Sequence, residues 1–253
     1  MNYLTLPFFK ALLKKKESKI ALAFSFFPML LIVVGLFNTN FMQLSAPVGS
    51  LSFLEFFSAV LFTQYQMTLP LVVFIYIVST IFRDEITSGI MYLYKDISRK
   101  VILNAKLGAI LLFQILYIVI TFFSSLFTYY VYLVHKPYTS GRFWPSKIDD
   151  VQYTVISILG TILVFLLCLL VASLASIILT NGIHYACRNY FCTFFFYSST
   201  TCFAKNYVFP NGYVNVLGHM SFNSSILLIM LLFVVYYAIL YIASLYFYSR
   251  LEY

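Results

Sequence analysis

The sequence predicts an all-α polytopic membrane protein with six transmembrane helices. Three observations predict it. Mean hydropathy is +0.92 over 253 residues, with 62% hydrophobic and 9% charged residues. A soluble fold has too little interior to cover that much apolar surface, so lipid must cover it. The apolar residues also gather into runs near the 20 or so needed to cross a bilayer, and the charges fall between the runs.

The chain reads as one transmembrane domain, 1–253. Residues 1–19 form an amphipathic interfacial helix. Phe8, Phe9, Leu12 and Leu13 share one face, and Lys10, Lys14 and Glu17 the other. The first span is Ile20–Phe37, which is too long for a signal-peptide core. Phe56–Ile81, Leu107–Val134, Val151–Leu179 and Ile226–Phe247 follow as further spans. Tyr190–Ala204, shorter and rich in Ser and Thr, is read as the fifth span. Tyr residues near the run ends, such as Tyr129 and Tyr246, suit interfacial belts. Residues 205–225, with Pro210, Asn211 and Gly212, read as a turn-rich loop before the last span.

Charge gives the spans an orientation. Alternate connecting segments carry twelve Lys and Arg on one side and four on the other. The positive-inside bias then puts both termini in the cytoplasm. The net charge of +8 belongs to these short segments, so no nucleic-acid partner is expected. Cys168, Cys187, Cys192 and Cys202 read as packing residues, with no disulfide framework or metal site. His135, His184 and His219 lack metal-ligand spacing, and no catalytic residues are assigned. No ionisable residue falls deep in a run, which argues against ion-coupled transport.

Two regions carry the functional expectation. In 82–106, Phe82, Ile86, Ile90, Leu93 and Ile97 recur at helical spacing, while Arg83, Asp84, Glu85, Asp96 and Arg99 lie off that stripe. This reads as a cytoplasmic surface helix able to dock on a soluble protein, or as a solvated loop of topology charges. Ser98 is placed to cap the next helix. In the second run, Gln64, Gln66 and Thr68 precede Pro70, which should kink the helix. The fifth run holds Ser198, Ser199 and Thr201. Such polar groups either line a translocation path or join helices by hydrogen bonds.

The run from Phe82 to Gly89, then Ser98-Arg99, then Lys106 resembles the permease subunits of type-2 ATP-binding-cassette exporters. Glu85 and Gly89, four apart, and Arg99 and Lys106, seven apart, stand at the family's spacings. Asp96 and Ile90 depart from the Pro and Thr often found there. The resemblance implies that Arg83, Asp84, Glu85, Gly89, Ser98, Arg99 and Lys106 belong to a loop coupled to an ATPase. It implies two copies of a separate ATPase subunit and a second permease chain, identical or homologous. ATP and Mg would be held by the ATPase, since this chain has no G-x-x-x-x-G-K-[ST] sequence and binds no cofactor of its own. It implies a multi-pass protein of a bacterial cell (plasma) membrane, of the kind that exports bacteriocins or confers immunity to them. Antimicrobial peptides, drugs and lipids are the implied cargoes. A non-transporting scaffold or sensor subunit is the alternative.

Overall fold

The computed structural model describes residues 3–37, 46–87, 96–178, 209–216 and 221–250. The described residues are 83% helix and contain no strand. In order the helices are α1 (Thr5–Lys14), α2 (Lys16–Phe24), α3 (Leu30–Leu36), α4 (Phe53–Gln66), α5 (Thr68–Thr87), α6 (Arg99–Val131), α7 (Ile148–Ile178) and α8 (Phe222–Ser249). Short 3-10 turns cover Phe27–Met29, Leu133–His135 and Pro210–Val216. Helices α6, α7 and α8 are each long and apolar enough to cross a membrane. Counting two bent pairs, α2 with Phe27–Leu36 and α4 with α5, brings the number to as many as five. The expected run Tyr190–Ala204 lies outside the described residues.

Both bends have a proline as their cause. A proline lacks the N–H for the carbonyl four residues back, and its ring crowds that carbonyl. For Pro70 that carbonyl is on Gln66, where α4 ends. Met67 is extended and α5 leaves at 65°. The expected kink therefore falls three residues before the proline itself. For Pro28 the carbonyl is on Phe24, where α2 ends, and the chain bends by 48°.

The bundle has two distinct ends. At the first, α1 lies on α6 where Gly108 allows close approach: a Cβ there would stand 3.0 Å from Thr5 Cγ2. The C-terminal ends of α5 and α8 meet the start of α6 at this end. At the second, the segment before α4 pairs with the α6–α7 connection. Leu51 N–H donates to Tyr138 O at 3.0 Å, and Phe53 N–H to Arg142 O at 3.0 Å. We refer to these as the α1 end and the Glu55 end. The main core joins α5, α6 and α7 through Phe74, Phe113, Phe165 and Tyr117. A second cluster around Phe53, Phe57 and Tyr129 closes the Glu55 end. Helix α8 is apolar all round and mostly exposed, as a lipid-facing helix must be.

Several expectations shift. The N-terminal helix breaks at Lys15, whose backbone is extended, so Glu17 belongs to α2. The apolar face of α1 packs on the bundle: Leu12 is buried and Phe8, Phe9 and Leu13 adjoin the core. Helix α6 starts at Arg99, directly after Ser98 as the cap position implies, and so eight residues before the apolar run. Lys106 is therefore a buried residue of a membrane-spanning helix, not part of a loop. Ser98 does stand at the N-cap of α6, but its side chain makes no capping bond. Its carbonyl accepts instead from Val101 N–H at 2.9 Å.

Candidate functional site

The α1 end is organised by three cations that reach helix carbonyls. Lys106 Nζ donates to Ile81 O at 3.1 Å and lies 5.2 Å from the Phe82 ring centre. It is 5.9 Å from the ring centres of both Phe8 and Tyr248. One fully buried ammonium thus touches α1, α5 and α8 from its own helix α6. Such contacts are electrostatic attractions to the ring faces, and they strengthen without water. Arg99 Nη1 donates to Ser249 O at 2.7 Å. The last carbonyls of a helix lack intrahelical donors, and a cation there also meets the negative end of the helix dipole. Lys15 Nζ donates to Thr80 O at 3.2 Å, which ties the α1–α2 corner to α5.

The Glu55 end holds a polar cavity of about 640 Å³ between α4, α7 and the turn Pro210–Val216. Glu55 lines it and is held by a capping box with the buried Ser52. Ser52 N–H and Oγ donate to Glu55 Oε2 at 2.7 and 2.6 Å, and Glu55 N–H donates to Ser52 Oγ at 3.4 Å. Deeper in, Ser58 Oγ donates to Ser157 Oγ at 2.9 Å. Asp150, Tyr153 and Thr161 complete the α7 side, and Asn211 the third wall. The turn sits directly on α7 because residue 160 is glycine. A Cβ there would come within 2.8 Å of Pro210 O. Gly160→Ala is expected to push the turn off α7 and to cost about 1 kcal/mol through overpacking. Hydrogen exchange of residues 210–216 checks this; unchanged protection rejects the wedge.

The expected site residues divide between these places. Arg83 lies in α5 half-buried, and Asp84 and Glu85 occupy that helix's last turns. Arg99 and Lys106 join at the α1 end. Gly89 lies outside the described residues. Of the expected path, Gln66 lines the polar cavity. Gln64 is buried, and its Nε2 donates to Phe24 O at 3.0 Å. Of the two uses open to Gln64, the structure shows the interhelical bond. Thr68 opens α5. Ser198, Ser199 and Thr201 lie outside the described residues.

Several partners escape the sequence reading. Lys15 counts there only as a topology charge. Ser157 and Thr161, four apart in an apolar run, share one helical face, and that spacing is a signal that could flag them. The pattern Ser52-x-x-Glu55 is a legible capping-box signature. Cys168 is buried as a packing residue.

Compared with protein-family models, curated proteins and solved structures, the chain matches none. Fold and composition therefore define its class: an all-helical membrane protein with several transmembrane helices.

Proposed function

We propose that the chain is the membrane-spanning permease subunit of an ATP-driven exporter, with six spans and both termini cytoplasmic. The observation that carries this reading is the cation hub at the α1 end. A stroke delivered to the connection between α5 and α6 would reach Phe82 and Arg99 first. Through Lys106 and Arg99 it would pass to α1 and α8 at once. Buried, bistable contacts transmit such motion better than solvated ones.

The six-span count draws support from where the described segments end. Gly160 meets Pro210 near the Glu55 end. Ile178 ends α7 about 27 Å further along, at the usual rise of about 1.5 Å per residue. In this reading the fifth span bridges that distance. The C-terminus of α8 returns to the α1 end, beside Arg99, which suits an even number of crossings. The twelve-to-four charge bias makes that end cytoplasmic. The partners in this reading are two ATPase subunits holding ATP and Mg, a second permease chain and the surrounding lipids. The cargo is amphipathic: an antimicrobial peptide, a drug or a lipid.

Co-expression with a candidate ATPase subunit, and reconstitution of the complex in liposomes, tests the reading. ATP-dependent movement of an amphipathic probe is expected. Glu85→Ala and Arg99→Ala are each expected to leave the chain in the membrane while ATP hydrolysis no longer drives transport. Wild-type transport by both variants overturns the coupling assignment.

A further inference from the structure

The cavity at the Glu55 end has an unbalanced chemistry. Glu55 and Asp150 line it, and no Lys, Arg or His does among the described residues. Glu55 uses only Oε2 in its capping box, so Oε1 is not engaged by the cap. Asp150 contributes its backbone carbonyl to Thr154 Oγ1 at 2.6 Å, and that bond does not occupy its carboxylate. Asn211 adds a buried Oδ1 that has no hydrogen-bond partner. The hydroxyls of Thr154 and Thr161 already donate to carbonyls of α7, and that of Ser58 to Ser157. The charged groups on the walls are therefore both anionic, and Gln66, Tyr153 and Ser157 add polar groups that can donate as well as accept. Phe62 and Tyr153 stand at the opening as aromatic faces.

We propose that this cavity binds the ammonium or guanidinium head of an amphipathic organic cation. Such a head supplies several N–H donors and a positive charge to the two carboxylates and to the side-chain oxygens of Gln66 and Ser157. Its apolar body suits the aromatic faces, which also attract cations. The volume falls in the range of about 300–1,000 Å³ usual for small-ligand sites. A bare divalent ion is less well served: no group of three His, Cys, Asp or Glu gathers to hold a metal among the described residues. Glu55 and Asp150 also sit in the first turns of α4 and α7, where acids favour the helix dipole. That role accounts for a carboxylate at each helix start but not for a cavity that opens between two carboxylates with no cation on its described walls. The proposal rests on the exporter reading only in naming the bound cation as cargo.

The test uses the full chain, alone, in lipid nanodiscs. Dansylcadaverine, a primary ammonium on an aromatic body, is titrated by fluorescence. Glu55→Gln removes the charge yet keeps a residue that serves the capping box. Asp150→Asn removes the second charge on an exposed turn. Each is expected to weaken binding about ten-fold, and the pair more, whereas Asp149→Asn, outside the cavity, leaves it unchanged. Dansylamide, which lacks the ammonium, is expected to bind at least ten-fold more weakly to the wild-type chain. Equal affinity of the double variant and wild type overturns the proposal, as does equal binding of the neutral probe. Displacement by Ca²⁺ at equal concentration also overturns it, in favour of a metal site. No ATPase takes part, so failure here leaves the exporter reading standing. Failure of the Glu85 and Arg99 test likewise leaves this site standing.

Discussion

Lys106→Ala is expected to destabilise the protein by about 3 kcal/mol, the largest effect expected of any single side chain here. A hydrogen bond from a charged donor contributes roughly 1.5–3 kcal/mol, and each desolvated cation–ring contact roughly 0.5–2. Truncation removes the bond to Ile81 O and three ring contacts together, and leaves a cavity where the buried lysine stem stood. Opposing this, the ammonium no longer has to be held out of water, which returns part of the loss. Lys106→Met separates the contributions. It keeps most of the stem volume and drops only charge and donor. The expected order of stability is wild type, then Lys106→Met, then Lys106→Ala, read as unfolding midpoints in mixed SDS and detergent micelles. Lys106→Met as stable as wild type would show that the stem, not the ammonium, holds the α1 end. In the reconstituted complex Lys106→Met is also expected to hydrolyse ATP with little transport, because the link from α5 to α1 and α8 is cut.

That residue also shows where sequence reading stops. Apolar runs locate α6, α7 and α8 because lipid imposes the same demand at every position of a span. Their interior is legible one residue at a time. A charge at the edge of an apolar run ordinarily seeks water, and on that ground the sequence alone puts Lys106 in a loop. Its acceptor is Ile81, and its rings come from Phe8, Phe82 and Tyr248, far apart along the chain. Only the fold brings them together, so although Ser98 as a cap already marks a helix start at Arg99, no local pattern could reveal where Lys106 finds its partners. Ser98 fails as a side-chain cap for a related reason. The residue type suits the position, but a cap also needs its own hydroxyl turned toward the first turn. The cavity is half legible. The pattern Ser52-x-x-Glu55 and the pair Ser157 and Thr161 are visible in the sequence, yet their convergence depends on α4 crossing α7 where Gly160 admits the 210–216 turn.

Gln64 and Pro28 are expected to be energetically coupled by about 2 kcal/mol, although 36 residues separate them. Pro28 deprives Phe24 O of its helical donor, and Gln64 Nε2 supplies one at 3.0 Å. The amide from α4 thus makes the break between α2 and α3 tolerable. A neighbouring bond does the same one residue on, where Ser124 Oγ donates to Ser25 O at 2.9 Å. Gln64→Leu alone is a poor test of this. Gln64 Oε1 is buried without a partner, so removing it relieves one penalty while orphaning Phe24 O creates another. The two nearly cancel, and a small net change is expected. Pro28→Ala changes the account, because it restores a backbone N–H at that position, which can reach Phe24 O and straighten the helix. The relief at Oε1 is the same in both backgrounds, so a double-mutant cycle removes it. Gln64→Leu is then expected to be close to neutral in the wild-type background and stabilising by about 2 kcal/mol in the Pro28→Ala background. The cycle is measured by reversible unfolding in mixed micelles. Additive effects within about 0.5 kcal/mol would mean that Gln64 does not stand in for the missing helical donor and serves some other partner.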